Sequence, residues 1–368
     1  MDERMNNTKD HEHSTVQEFY RRMAREAEIN SDYTIDTHNE SLDECSHRDY
    51  IFELLKIENL VNLIISSDLP GFSLKKIRNG NPILTWHPLA KHFKLITKLF
   101  ELVSTEYEYS PNVELFFASC FKLELGKEYL CNPLHYGHRP IRQFEIYNEL
   151  IELIRTESRT QKFRSRVAAL RYKSTYRLES SKALIDKVFH NCASVEVLRI
   201  DFAYKYPQAE HITAEQARAD LKRFLNNRRH NRALFKYCLT YIWKLEWGPD
   251  KGYHYHMIFF YNGRYISNDS YWSNQICNYW EEVTGGIGRS HDCNRDKDRY
   301  IRRGIGTITR KNEAKRKILV EDVVNYLTKT DQCLRVKKFG SDRCFGKGKP
   351  PEKSNAGRPR DDEATPTQ

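Results

Sequence analysis

Between Asp49 and Arg177 the apolar residues recur at i, i+3, i+4 and i+7. HRDYIFELLKIENLVNLIISS, LAKHFKLITKLFELVSTEY and FEIYNELIELIRTES each gather them on one side of a 3.6-residue turn, which predicts amphipathic helices. The turn signals LPG, NGNP and SPN separate these runs. At Val195 the period changes. In SVEVLRIDFAY, Leu198, Ile200, Phe202 and Tyr204 alternate with Val197, Arg199 and Asp201, the two-residue repeat of a strand. Thr213 then opens a helix, TAEQARADLKRFLNNRR, with Gln216 completing a capping box. FKYCLTYIWKLEW and YHYHMIFFY read as two strands, and the GPDKG between them folds them into a hairpin about Asp250. A helix, NDSYWSNQICNYWEEV, runs to Gly285-Gly286, followed by a basic loop and a last helix, LVEDVVNYLTKTDQ. The order β–α–β–β–α–loop–α predicts an α+β domain over residues 191–346, a central antiparallel sheet with flanking helices. A helical region with a basic end, residues 46–190, precedes it. Residues 1–45 are acidic and predicted mostly disordered, with one helix near Val16–Ala27, and the Pro/Gly/Lys-rich residues 347–368 are a predicted disordered tail.

Charge sharpens this picture. The 368 residues hold 60 Lys+Arg and 50 Asp+Glu, a net charge of +10. Residues 1–60 carry 15 acids against 7 bases, so the cations are concentrated further along. Residues 155–190 have ten Lys/Arg and three acids, residues 289–317 eleven and four, and residues 329–360 ten and three. Three such runs of one sign around one folded region point to a polyanionic partner, because clustered cations gain counterion-release free energy on phosphates. Within the second run Arg302, Arg303, Arg310 and Lys311 are the expected DNA contacts. Nine cysteines without a CxxC pair read as reduced, buried thiols rather than a disulfide framework or zinc knuckle. No apolar run approaches the roughly 20 residues of a membrane span, and MDERMNNTKDHEH is not a signal peptide, so a cytoplasmic location with no membrane partner is expected.

Candidate chemistry falls on two elements. His254 and His256 are two apart on a strand, so both imidazoles leave one face, roughly 6.6–6.8 Å apart along the chain. That spacing suits two ligands of one metal ion, and the apolar Met257-Ile258-Phe259-Phe260 that follows makes the strand central. A hairpin about Asp250 sets Glu246 opposite His254 on the same face, a third ligand for Mg²⁺ or Mn²⁺ or else a salt-bridge partner of Lys244 or Lys251. Asp201 is a weaker candidate ligand. On the last helix a 100° wheel places Val320, Val323, Val324 and Leu327 on the buried stripe, with Tyr326 off it beside Asp322, Lys329 and Thr330. A phenol on that side has no packing role and lies near a lysine at i+3, so Tyr326 is a candidate nucleophile and Lys329 its supporting cation.

Together VLRIDF, WKLEWGPDKGYHYHMIFFY, the tryptophan-containing helix ending in VTGG, YLTK and RCFG, in that order, resemble the HUH endonuclease superfamily. Within it they are most similar to the inovirus-type replication endonucleases of filamentous phages and cryptic prophages. The resemblance covers residues 155–346; the central Tyr255 of the histidine pair departs from the usual aliphatic. It implies metal-dependent nicking and joining of single-stranded DNA at a replication origin. His254, His256 and Glu246 would hold Mg²⁺ or Mn²⁺. Tyr326 would form a 5′-phosphotyrosine, and a host helicase and polymerase would act on the product in the bacterial cytoplasm. A non-catalytic DNA-binding regulator, or a transposase or relaxase with the same chemistry, remains an alternative. An RNA-binding protein would leave Tyr326 unexplained.

Overall fold

The computed structural model describes residues 43–77, 80–103, 107–127, 130–227, 231–248, 251–328, 334–336 and 344–351. The helix expected near Val16–Ala27, Lys329 and residues 352–368 lie outside them. The architecture is that of the unit from His47 onward. It is α+β, with a central antiparallel sheet flanked by helices and a helical region before it. Among the described residues no helix is long and apolar enough to cross a membrane.

In the N-terminal region, helix α1 (Asp43–Ser66) buries Leu54, Ile57, Leu60, Val61 and Ile64, the one face its period predicts. Helices α2 (Ile96–Phe100), α3 (Pro111–Lys122) and α4 (Gln143–Ser158) complete this first core with Phe93, Phe116 and Tyr147. The buried Arg155 of α4 donates to the carbonyls of Ile64 (3.1 Å) and Leu69 (2.6 Å), capping the end of α1. One expectation fails here. NGNP does not separate helices; it joins strands β1 (Phe72–Ile77) and β2 (Gly80–Trp86), paired antiparallel with Leu74 opposite Leu84. Runs of six and seven residues are too short for stable helices, and Asn79-Gly80 is a hairpin dipeptide. Another short strand, β3 (Tyr107–Tyr109), pairs with β9 (Leu334–Val336).

The long helix α5 (Gln161–Asn191) leads into the main sheet. Strand β4 (Ser194–Tyr204) matches its predicted span, and α6 (Ala214–Asn227) follows. Thr213 caps α6 by accepting from the Gln216 amide (3.2 Å), but the Gln216 side chain turns to Asp220 instead of closing the box. Next come α7 (Arg232–Phe235), β5 (Cys238–Gly248), β6 (Gly252–Asn262) and α8 (Asp269–Val283). The predicted basic loop is a correction: it contains β7 (Gly288–Asp292) and β8 (Gly306–Thr309), both paired to β4. Their polar, five- and four-residue sequences carry too little alternation to be read. A final strand, β10 (Phe345–Lys347), pairs with β5, so regular structure reaches the first residue of the expected tail. Asn191 donates to the Pro351 carbonyl (3.0 Å), a contact between the end of α5 and that segment.

The sheet order is β10-β5-β6-β4-β7, with β8 also on β4, so β6 is central as predicted. One face, with Leu198, Ile200, Phe202, Met257 and Phe259, packs under α6 and α8. There Trp280 stacks on Phe202 at 4.5 Å and donates its indole N–H to the Ala203 carbonyl (3.0 Å). The opposite face, with Val195, Val197, Ile242, Ile258 and Phe260, packs under the second half of α5 and the closing helix. That helix runs as α9 (Glu313–Ile318), a π-helical turn (Leu319–Val324) and α10 (Asn325–Thr328). Leu319 is buried and Val320 lies at the rim, a small departure from the uniform wheel that a wider π turn produces.

Candidate metal and tyrosine site

Three strands deliver the polar residues to one end of the second face. In the β5–β6 hairpin Glu246 pairs with His254 and Lys244 with His256, the register expected for a turn about Asp250. Across β4, Asp201 pairs with His256. Strand alternation does the rest: Lys244, Glu246, His254, His256, Arg199 and Asp201 share the face of Ile242, Ile258 and Val197. Gly252 enters β6 at φ +61, and a Cβ there would stand 2.7 Å from the Ala209 carbonyl oxygen, so only glycine fits this turn.

Each imidazole is fixed from behind. His254 Nδ1 donates to the Gly252 carbonyl (3.1 Å) and His256 Nδ1 to Asp201 Oδ1 (2.8 Å). With Nδ1 used as donor, each Nε2 carries the lone pair. Both Nε2 atoms converge on Glu246 Oε2, at 3.6 Å from His254 and 3.2 Å from His256. The other oxygen, Oε1, takes Lys244 Nζ at 2.5 Å, so Glu246 meets both the histidines and the lysine expected as its alternative partner. One donor atom from each of Glu246, His254 and His256 lies within 4.8 Å of the others, as three ligands of one ion require. The electrostatics agree. Burial opposes charge on His256, but Asp201 and Glu246 outweigh it and raise its pKa to about 9. A positive charge therefore has two carboxylates waiting for it. His254 is lowered, chiefly by burial. Burial would raise Glu246, yet Lys244, His256 and His254 hold it well below the usual carboxylate range. The donor set and its supporting hydrogen bonds fit a divalent cation.

Asp201 thus stands behind His256, not among the converging donors. Its other oxygen is 3.8 Å from Cys293 Sγ and 3.9 Å from Arg199 Nη2. Tyr300, the other tyrosine of the basic segment, is turned in and hydrogen-bonded to Cys293, and burial raises its pKa.

Tyr326 closes the site from above. Its ring is half-buried on the second face, edge-on to the His256 ring at 5.4 Å between centroids. Two buried cations that sequence reasoning did not single out flank it: Arg199 Cζ at 5.5 Å and Lys244 Nζ at 5.9 Å from the ring centroid. Alternation alone places them, since each is two residues from a candidate ligand on the same strand face. The tyrosine is off the apolar stripe, as read, but it faces the histidines rather than solvent. Lys329 lies outside the described residues.

The expected DNA contacts are elsewhere and mostly engaged. Arg302 pairs with Asp322 (3.0 Å) and Glu321 (3.3 Å), and Arg303 with Asp298 (3.1 Å). Arg310 donates to the carbonyls of Phe189 (2.7 Å) and His190 (3.0 Å) at the end of α5. Lys311 is exposed.

Residues 202–331 match the family model of the replication-associated protein ORF2. The matched span holds Glu246, His254, His256 and Tyr326, and starts one residue after Asp201. It runs from the end of β4 through α10 and leaves the N-terminal helical region outside. No curated protein and no solved structure gives a significant match.

Proposed function

We propose that the chain is a metal-dependent endonuclease that nicks and rejoins single-stranded DNA through Tyr326, initiating rolling-circle replication of a phage, prophage or plasmid. The observation that carries this reading is the Tyr326 ring set 5.4 Å from His256, over three converging metal donors. The match to the replication-associated protein ORF2 family supports the same class of reaction.

Glu246, His254 and His256 would hold Mg²⁺ or Mn²⁺, whose charge polarises a phosphodiester. Asp201 and the Gly252 carbonyl keep both imidazoles turned so that Nε2 faces the site. Tyr326 Oη attacks phosphorus as the P–O3′ bond breaks. The phenol loses a proton and the departing O3′ gains one, so the products are a 5′-phosphotyrosine and a free 3′-OH. Reverse attack by a 3′-OH rejoins the strand. Arg199 and Lys244 place positive charge beside the ring, where attacking oxygen and phosphate are both negative, and Lys329 is proposed as a third cation. A host polymerase would extend the 3′-OH, and a host helicase would open the duplex ahead of it.

The test is a labelled single-stranded origin fragment incubated with Mn²⁺ and the protein. Wild type is expected to give a denaturation-resistant protein–DNA band and Tyr326→Phe none, although the variant still folds and binds Mn²⁺ and DNA. An adduct that survives in Tyr326→Phe but disappears in Tyr300→Phe would transfer the nucleophile to Tyr300. Survival in both would overturn tyrosine attack from this region.

A further inference from the structure

We infer that the outward face of α5 around Tyr172 and Tyr176 is a second contact surface for single-stranded DNA, holding the strand that flanks the nicking site; this rests on the function proposed above. From Gln161 through Ser180, no side chain of α5 is buried. The half-buried Phe163, Val167, Leu170 and Ser174 mark its inner stripe, and Tyr172 and Tyr176 fall on the opposite side of the helical wheel. These two residues are 72% and 64% exposed. Their rings stack on each other at 6.4 Å between centroids with an interplanar angle of 20°. Two exposed, nearly parallel aromatic faces are a poor use of surface in water and a good platform for unpaired bases.

The charges around the pair suit the same ligand. Between Ser158 and Leu178 the chain has no acidic residue, so this stretch has none of the i,i+4 acid–base pairs that usually support a solvated helix. Lys162, Arg164, Arg171 and Lys173 make no ion pair among the described residues. Like charges at this spacing destabilise a helix, and phosphates alongside would reverse the effect. A protein partner would need an apolar face here, whereas the tyrosines are ringed by cations and the inner stripe is already packed.

Position links this face to the site. Ser174 Oγ, on the inner side of the same helical turns, donates to the carbonyl of Thr328 (3.2 Å), two residues beyond Tyr326. A strand leaving Tyr326 therefore reaches the tyrosine pair by passing round one helix, about 10–12 Å across.

The full-length protein is tested with fluorescent oligothymidylate, by anisotropy at several salt concentrations, and with the origin fragment for nicking. The Tyr172→Ala/Tyr176→Ala variant is expected to bind oligothymidylate at least about tenfold more weakly, since each stacked base contributes roughly 1–3 kcal/mol. Its salt slope should stay that of wild type, its KM for nicking should rise, and its kcat should hold. The Phe/Phe variant should bind like wild type, because it keeps both rings, and Arg171→Gln/Lys173→Gln should flatten the salt slope by about two. Both tyrosines are exposed, so melting temperatures should barely move. Equal binding by the alanine variant overturns the inference while leaving wild-type nicking, and so the proposed function, intact. Equal weakening on duplex DNA, tighter binding of oligouridylate, or a change in oligomeric state of the alanine variant would also overturn it, in favour of general phosphate contact, RNA or a second copy of the chain. Tyrosine-dependent oligothymidylate binding in a wild type that forms no adduct would support the surface and sink the nicking.

Discussion

Asp201 keeps its carboxylate almost fully buried, and two neighbours explain how: His256 Nδ1 at 2.8 Å and the Arg199 guanidinium at 3.9 Å. Its effect on a bound ion is exerted through the imidazole it orients. Asp201→Asn keeps the size but removes the charge that favours a donating Nδ1. Calorimetric titration with Mn²⁺ should show affinity about 10–100-fold lower, with little change in the far-ultraviolet spectrum. Wild-type affinity in this variant would mean that His256 needs no such partner. At this scale the sequence was informative about the histidine pair and Glu246, because a period of two and one hairpin turn fix which side chains meet. It was less so about Asp201, which looked like a ligand until the β4–β6 register placed it behind the ring. Nothing in the spacing distinguished Arg199 and Lys244 from ordinary strand-face cations, because their partner, Tyr326, is more than 80 residues away in the chain.

Strand β8 meets β4 through a buried carboxylate. Glu196 is wholly inaccessible; its Oε2 accepts from Thr307 Oγ1 (2.7 Å), and its Oε1 has no hydrogen-bond partner among the described residues. Burial raises its pKa to about 7; the Thr307 hydrogen bond works against this and the charge of Asp269 adds to it. An acid raised in the folded state binds a proton there that the unfolded chain has already lost. Between its ordinary value near 4.5 and about 7, stability should therefore fall as pH rises, and the cost is complete above about 7. Glu196→Gln should raise the melting temperature at pH 8, by an amount worth at most about 3 kcal/mol before solvent screening, and should flatten the pH dependence across that window. An unchanged pH profile would show that the carboxylate is adequately solvated. The same edge explains why the loop expectation for residues 289–317 failed. Strands of five and four mostly polar residues gain their place from pairing with β4, a non-local contact that leaves little trace in the local pattern.

Across the whole molecule cations outnumber acids, 60 to 50, but several of those expected to meet DNA are held by neighbours. Arg302 and Arg303 lie against Asp322, Glu321 and Asp298 in exposed pairs. Such pairs are worth about 0–1 kcal/mol each, so phosphates can displace them. Replacing both arginines with Gln should flatten the salt dependence of DNA binding by about two units of slope, read from anisotropy titrations between roughly 50 and 200 mM salt, the range over which counterion release is large. An unchanged slope would assign them to holding the closing helix alone. The sequence by itself determined the α+β class, the central β6, the Glu246–His254 pairing and the tyrosine's place off the apolar stripe, since each follows from local periodicity and one short turn. Only the tertiary structure decided that β1–β2 is a hairpin, that β7, β8 and β10 complete the sheet, and that Tyr326 stands over His256 between Arg199 and Lys244. Those outcomes depend on contacts between segments distant in the chain, formed when two sheet faces and their helices bury apolar surface together, and no local pattern encodes them.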